Sequence, residues 1–326
     1  MCGNKGVILK ILISDMSKDD WEVSAKFLRD ELKAEIQGAD GFWKTLRDDL
    51  NEKEQKEDIK RQILGFKDSC PIDDVDGSVN SLALKIWQIN ESFTSKLSWD
   101  IGFYLENSPL DLFNNRPYIS AARKTLNDPE ISERVKRRLL GICQQLIYSS
   151  ISQGNKSNAG SVGESLVEAI FASEGLVRNV DYRTQYKSNV GSDTDFVIPF
   201  IEDFYDSQIE VLIAVQMSTN DRARLVASEL KTGGIKYMFS GNGLDASSKK
   251  LKDIGDQIIQ SLLKDNVKMI CYAPGLEEEK IRLKNKISNE NDIQVSKARL
   301  DYFEQYAITY TQFRKNIKRW CQKSKE

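Results

Sequence analysis

The chain has 326 residues, 40% apolar and 29% charged. That is long enough for a full core in one large or two modest domains, and too apolar for a disordered chain. It has no histidine, and its five cysteines (Cys2, Cys70, Cys143, Cys271, Cys321) form no Cys-x-x-Cys pair, which excludes imidazole-dependent catalysis and argues against zinc sites. The net charge of −2 is unevenly spread: residues 1–130 carry 18 Lys/Arg against 24 Asp/Glu, residues 131–326 carry 29 against 25. The later part is thus mildly basic and allows a DNA face.

The apolar run at residues 6–13 is too short and too charged for a signal or membrane segment, so a cytoplasmic protein with no membrane partner is expected. Residues 14–65 read as helices, with Trp21, Val23, Phe27, Leu28 and Leu32 at helical spacing. Residues 68–80 are read as a loop by their Pro, Asp and Gly content, and residues 81–105 as another helix. Four of the five tryptophans lie in the first 100 residues, which points to an aromatic core belonging to that region.

A helix is expected over 130–149, with Pro129 before it and Ile131, Val135, Leu139, Ile142 and Leu146 on one face. Residues 152–160 (SQGNKSNAG) read as a flexible polar loop, followed by a helix over 162–174. Strands then alternate with helices: strands near 182–187, 195–200, 209–217, 235–239 and 267–272, helices over 220–231 and 246–264. The tail is read as one strand at 293–296 and a terminal basic helix. The fold class expected is α/β: a mixed central sheet flanked by helices, with a mostly helical N-terminal region. Domains are placed at 1–130, for DNA recognition or dimerisation, and 131–326, for the core with its basic C-terminal helix.

Two neighbouring strands carry the chemistry. Asp195 lies in the first, and the second (IEVLIAVQM, residues 209–217) is apolar apart from Glu210 and Gln216. Ala214 and Gln216 share a face of that strand, because alternate residues point the same way. A buried amide such as Gln216 must find hydrogen-bond partners. Burial of a small side chain is the plain reading of Ala214. Glu210, roughly 13 Å along the strand, is too remote to act in its place. Glu164 and Glu168 share one face of the preceding helix. The triplet Glu229-Leu230-Lys231 matches Glu-x-Lys formally, but it ends a helix and is set aside.

These segments resemble the PD-(D/E)xK nuclease superfamily, in which an Asp on one strand and a Glu/Asp-x-Lys on the next hold Mg²⁺ against a phosphodiester. Within it they are similar to type II restriction endonucleases of the DpnII/MboI group. The resemblance covers about residues 150–275 and rests on Gly163-Glu164 opening a helix, Asp195-Phe-Val-Ile198, the strand ending in Ala214-Val215-Gln216, and Gly241 to Leu251. It implies Mg²⁺ held by Asp195, the Val215 carbonyl and an acidic residue of the preceding helix, Glu164 ahead of Glu168, with Gln216 in the usual Lys position and Ala214 where a second metal-binding carboxylate belongs. Asn155, Lys156, Ser157, Asn158, Arg222, Arg224 and Lys249 become candidate DNA contacts.

What the resemblance implies is a homodimer on double-stranded DNA that cuts at a specific sequence, with a cognate methyltransferase acting in the same system but not bound. Ala214 makes an inactivated variant one form of this reading. The alternatives are a catalytically dead DNA-binding module and a modification-dependent or repair nuclease.

Overall fold

In a computed structural model, the described residues are 22–37, 47–48, 52–69, 74–107, 116–189, 193–217, 234–241, 244, 251, 254–289 and 293–323. The chain divides into two compact units, one comprising 1–58 and 89–157, the other 59–88 and 158–326. No helix among the described residues is long and apolar enough to cross a membrane.

The first unit is helical. Helix α1 (Glu22–Gln37) buries Ala25, Leu28, Leu32 and Ile36, the three- and four-residue spacing of one helix face. Helix α2 (Glu52–Ser69) and helix α3 (Val75–Asn107) each give residues to both units. Helix α4 (Pro117–Asn127) begins with a proline at its first turn, where the missing N–H costs nothing. Glu35 of α1 accepts from the free amides of Tyr118 (3.1 Å) and Ile119 (2.8 Å), so a carboxylate from another helix closes this N-terminus.

Helix α5 (Glu133–Ser173) is one 41-residue element. The expected loop at 152–160 is helical instead. Its Gly, Ser and Asn are weak helix formers, but strongly apolar helical segments flank it on both sides. Val135, Leu139, Ile142 and Leu146 are buried in the first half, Val162, Leu166, Val167 and Ile170 in the second.

The second unit is built on a six-stranded sheet in the order β1 (Arg183–Lys187), β2 (Asp193–Ile198), β3 (Val211–Gln216), β4 (Ile235–Ser240), β5 (Val267–Cys271), β6 (Ala307–Thr309). The first three strands are antiparallel and β3 to β6 run parallel. Helices α6 (Asp256–Lys264), α7 (Ala273–Asn289), α8 (Ile293–Gln305) and α9 (Tyr310–Lys323) complete the unit. The α/β class with a mixed sheet is as the sequence indicates.

The sheet is covered on both faces. On one, Phe196, Ile198, Ile213, Val215, Tyr237 and Phe239 join a core with Leu166, Ile170 and Phe171 of α5 and Phe313 and Ile317 of α9. On the other, Val197, Leu212, Ala214, Met238 and Met269 meet residues of α6, α7 and α8, among them Ile258, Leu262, Leu276, Leu283 and Phe303. Every residue of β3 is buried, which is why its sequence is a continuous apolar run.

Several expectations need correcting. Residues 293–296 open α8 and are not a strand. Ser296, Arg299, Leu300, Tyr302 and Phe303 are buried, and the helical period of Ser296, Arg299, Leu300 and Phe303 outweighs the β-branched Ile293 and Val295. The 68–80 loop is shorter than expected, since α3 begins at Val75. Trp87, one of the four early tryptophans, packs against the sheet core, where Trp320 joins it, and Trp21, Trp43 and the Trp99 side chain lie outside the described residues. Strand β2 begins at Asp193 and stops before Pro199, which cannot donate to a ladder. The expected helix at 220–231 lies outside the described residues.

Candidate active site

Strands β2 and β3 pair from Ile198↔Val211 to Phe196↔Ile213. Continuing that register by one residue would set Asp195 beside Ala214. There the backbone ladder gives way to a side chain: Oδ2 of Asp195 accepts from the Val215 amide at 2.7 Å. The carboxylate of β2 thus occupies the fork between the two strands, half-buried.

Helix α5 reaches this fork because of Gly163. A Cβ there would lie 2.5 Å from Cγ1 of Val215 and 2.9 Å from the Met217 side chain. Only glycine lets the helix come this close to β3. The next residue, Glu164, is thereby brought within electrostatic reach of Asp195. Burial holds the Glu164 carboxyl above the usual carboxylate range. The charges of Asp195 and Glu168 push it further the same way, against a hydrogen bond from Gln185 and the charge of Arg178.

Gln185 of β1 completes the arrangement. Its side chain bonds Glu164 and donates from Nε2 to Oδ1 of Asp195 at 3.4 Å, so one amide spans both carboxylates. Its backbone has φ 52°, the left-handed region that a non-glycine residue rarely occupies inside a strand. Beside it, Arg178 pairs with Glu168 at 3.5 Å, and the Tyr182 hydroxyl donates to Glu168 at 3.5 Å. Burial raises the Tyr182 phenol, which keeps it a donor.

The structure therefore brings Glu164, Glu168 and Asp195 into one cluster, with the Val215 backbone at its edge. The side chains of Ala214 and Gln216 contribute differently. Ala214 is 1% exposed and sits in the apolar layer with Leu212, Met238 and Leu251. Gln216 is also buried, and its carbonyl accepts from Gly241 at 3.1 Å. Glu210 is exposed, before the start of β3.

Asn155, Lys156, Ser157 and Asn158 belong to helix α5, their side chains outside the description, and Arg222, Arg224 and Lys249 lie outside the described residues. Sequence reasoning missed Gln185, Arg178 and Tyr182. Nothing in Arg-Thr-Gln-Tyr-Lys marks its central residue, since the signal is a backbone torsion and a sheet register.

Among the described residues no group of three or more His, Cys, Asp or Glu is arranged to hold a metal ion. The pair Glu164 and Asp195 still suits Mg²⁺, which takes one or two carboxylates and keeps several waters. Their charges crowd one another, and a divalent cation relieves that crowding. No family model matches the chain, and no curated protein matches it.

Proposed function

We propose that the chain is a Mg²⁺-dependent double-stranded DNA endonuclease of the PD-(D/E)xK type, acting as a homodimer at a specific sequence, with cleavage weakened by Ala214. One observation carries the reading: a helix carboxylate, Glu164, is delivered by Gly163 to a strand carboxylate, Asp195, at the fork of an antiparallel pair. Asp195 and Glu164, with the Val215 carbonyl, would hold the ion. Bound there, Mg²⁺ supplies an activated water and offsets charge on the phosphoryl oxygens. Gln185 orients both carboxylates. Gln216 offers an amide in place of a cation, which can orient a water but cannot neutralise charge.

The second reading is a DNA-binding module that does not cut. The apolar seat of Ala214 favours it, because a carboxylate placed there would lose hydration against Leu212 and Met238.

Plasmid cleavage separates the two. Ala214→Glu should yield Mg²⁺-dependent cutting at a defined site, and adding Asp195→Asn should remove it. A folded Ala214→Glu protein that leaves plasmid intact in Mg²⁺ and Mn²⁺ favours the module. Cutting by the double variant at the single variant's rate would take Asp195 out of the site.

A further inference from the structure

Helix α5 stops at Ser173 and the chain turns back on it. Gly175 has φ 76°, and the amides of Gly175 and Leu176 donate to the carbonyls of Ala172 (3.0 Å) and Phe171 (3.1 Å), a left-handed cap that glycine enters without strain. Leu176 is buried, which fixes the direction of the reversal. The next residues close a tight turn. The Val177 carbonyl accepts from the Asp181 amide (2.9 Å), and the Val177 amide donates to Oδ2 of Asp181 (2.8 Å). Asn179, at φ 62°, donates to the Tyr182 carbonyl (2.8 Å). This braced turn carries Arg178 back to Glu168 of the helix.

Arg178 is thus fixed firmly at its backbone and loosely at its tip. Its side chain is 56% exposed, and its ion pair is a single Nη1 contact of 3.5 Å to Oε1 of Glu168, too long for paired charge-assisted hydrogen bonds. Exposed pairs of this kind add little to stability. The same Oε1 accepts from the Tyr182 hydroxyl, so Glu168 keeps a donor when the guanidinium turns away. Arg299 is the opposite case: nearly buried, it donates to Glu279, Asp256 and the Leu251 carbonyl.

We propose that Arg178 is a phosphate-binding residue of the β2–β3 fork, turning from Glu168 to take two oxygens of a phosphodiester. The inference deepens the proposed function and rests on it for the substrate. The charge of Arg178 already acts at Glu164. In that reading Asp195 and Glu164 hold the ion, and Gln216 brings an amide without charge. A phosphate docking there meets carboxylates, and a planar guanidinium supplies the opposite charge with paired donors that match its oxygens. The step is a change of partner, and no covalent bond forms or breaks.

The test pairs two measurements on the full chain. One is fluorescence anisotropy with a labelled random-sequence duplex over a range of salt, with Ca²⁺ in place of Mg²⁺ so that binding is read apart from cutting. The other is calorimetric titration with Mn²⁺ and no DNA. Arg178→Ala should weaken duplex binding about tenfold, the loss of one charge-assisted contact. Its log–log salt dependence should be shallower by ~0.9, the share of one phosphate. The same variant should bind Mn²⁺ as tightly as the parent or more tightly, because a positive charge leaves the neighbourhood of the carboxylates. Damage to the fold would weaken both. Arg178→Lys should keep the parent's salt dependence, with an affinity between those of the parent and Arg178→Ala.

If the parent binds duplex and Arg178→Ala matches it in affinity and slope, Arg178 serves only Glu168, and this inference fails while the nuclease reading stands. A variant weakened toward both duplex and Mn²⁺ would make Arg178 a support for the carboxylates and overturn phosphate binding. A parent with no duplex affinity removes this inference and the nuclease reading together.

Discussion

Asp76 and the Glu164–Asp195 pair belong to the same unit and treat buried negative charge in opposite ways. Asp76 is 7% exposed and is surrounded by donors: the amides of Ala273 (2.9 Å), Tyr310 (3.3 Å) and Thr311 (3.0 Å), and the Thr311 hydroxyl (2.6 Å). Those amides open α7 and α9, so two helix N-termini share one carboxylate. Glu279 is handled the same way, almost fully buried between Arg282 and Arg299. At the β2–β3 fork the surroundings of Glu164 include two further carboxylates, an amide and one partly exposed guanidinium. Charge matched in place holds a fold together. Charge left crowded in a half-buried site is where we propose that a cation binds.

The largest effect that sharpens this contrast is expected at Asp76. Asp76→Ala leaves three amides without their acceptor and should cost about 3–5 kcal/mol in urea denaturation. A loss below about 1 kcal/mol would mean that water replaces the carboxylate, and the contrast would lose one side.

Glu164→Gln should act in the other direction. Because the folded-state pKa of Glu164 is raised, its protonated form is the one the fold favours. The stability it contributes is complete below the unfolded carboxylate pKa and is lost as pH rises through the folded value. The variant should therefore melt above the parent at neutral pH, with the gap closing toward acid. A gap that is the same at every pH would assign it to packing.

The smallest effect is expected at Gln185. Gln185→Gly removes the cost of φ 52° and should raise stability by about 1 kcal/mol. It also deletes the amide joining the two carboxylates, so Mn²⁺ affinity should fall. Lower stability would show that the amide holds more than the backbone loses.

Much of the sheet was readable from sequence, because apolar runs such as VLIAVQ in β3 are buried on both faces and interrupted only by turns. Elements whose signals conflict were not. Residues 152–160 have loop composition but sit inside one long helix. Ile293 and Val295 suggest a strand, while the buried Ser296, Arg299, Leu300 and Phe303 set a helical period. At the site, Asp195 and Glu164 were legible as carboxylates on neighbouring elements. Gln185 and Arg178 were not, because their roles come from a strand distortion and a loop that fold around the fork.

Isothermal titration of the full chain with Mn²⁺, in the absence of DNA, addresses the crowded carboxylates directly. The parent should bind Mn²⁺ saturably, and Asp195→Asn and Glu164→Gln should each weaken that binding at least tenfold without lowering the melting temperature. Variants that take up Mn²⁺ as tightly as the parent, or a parent that takes up none, would contradict a divalent-cation site at the β2–β3 fork.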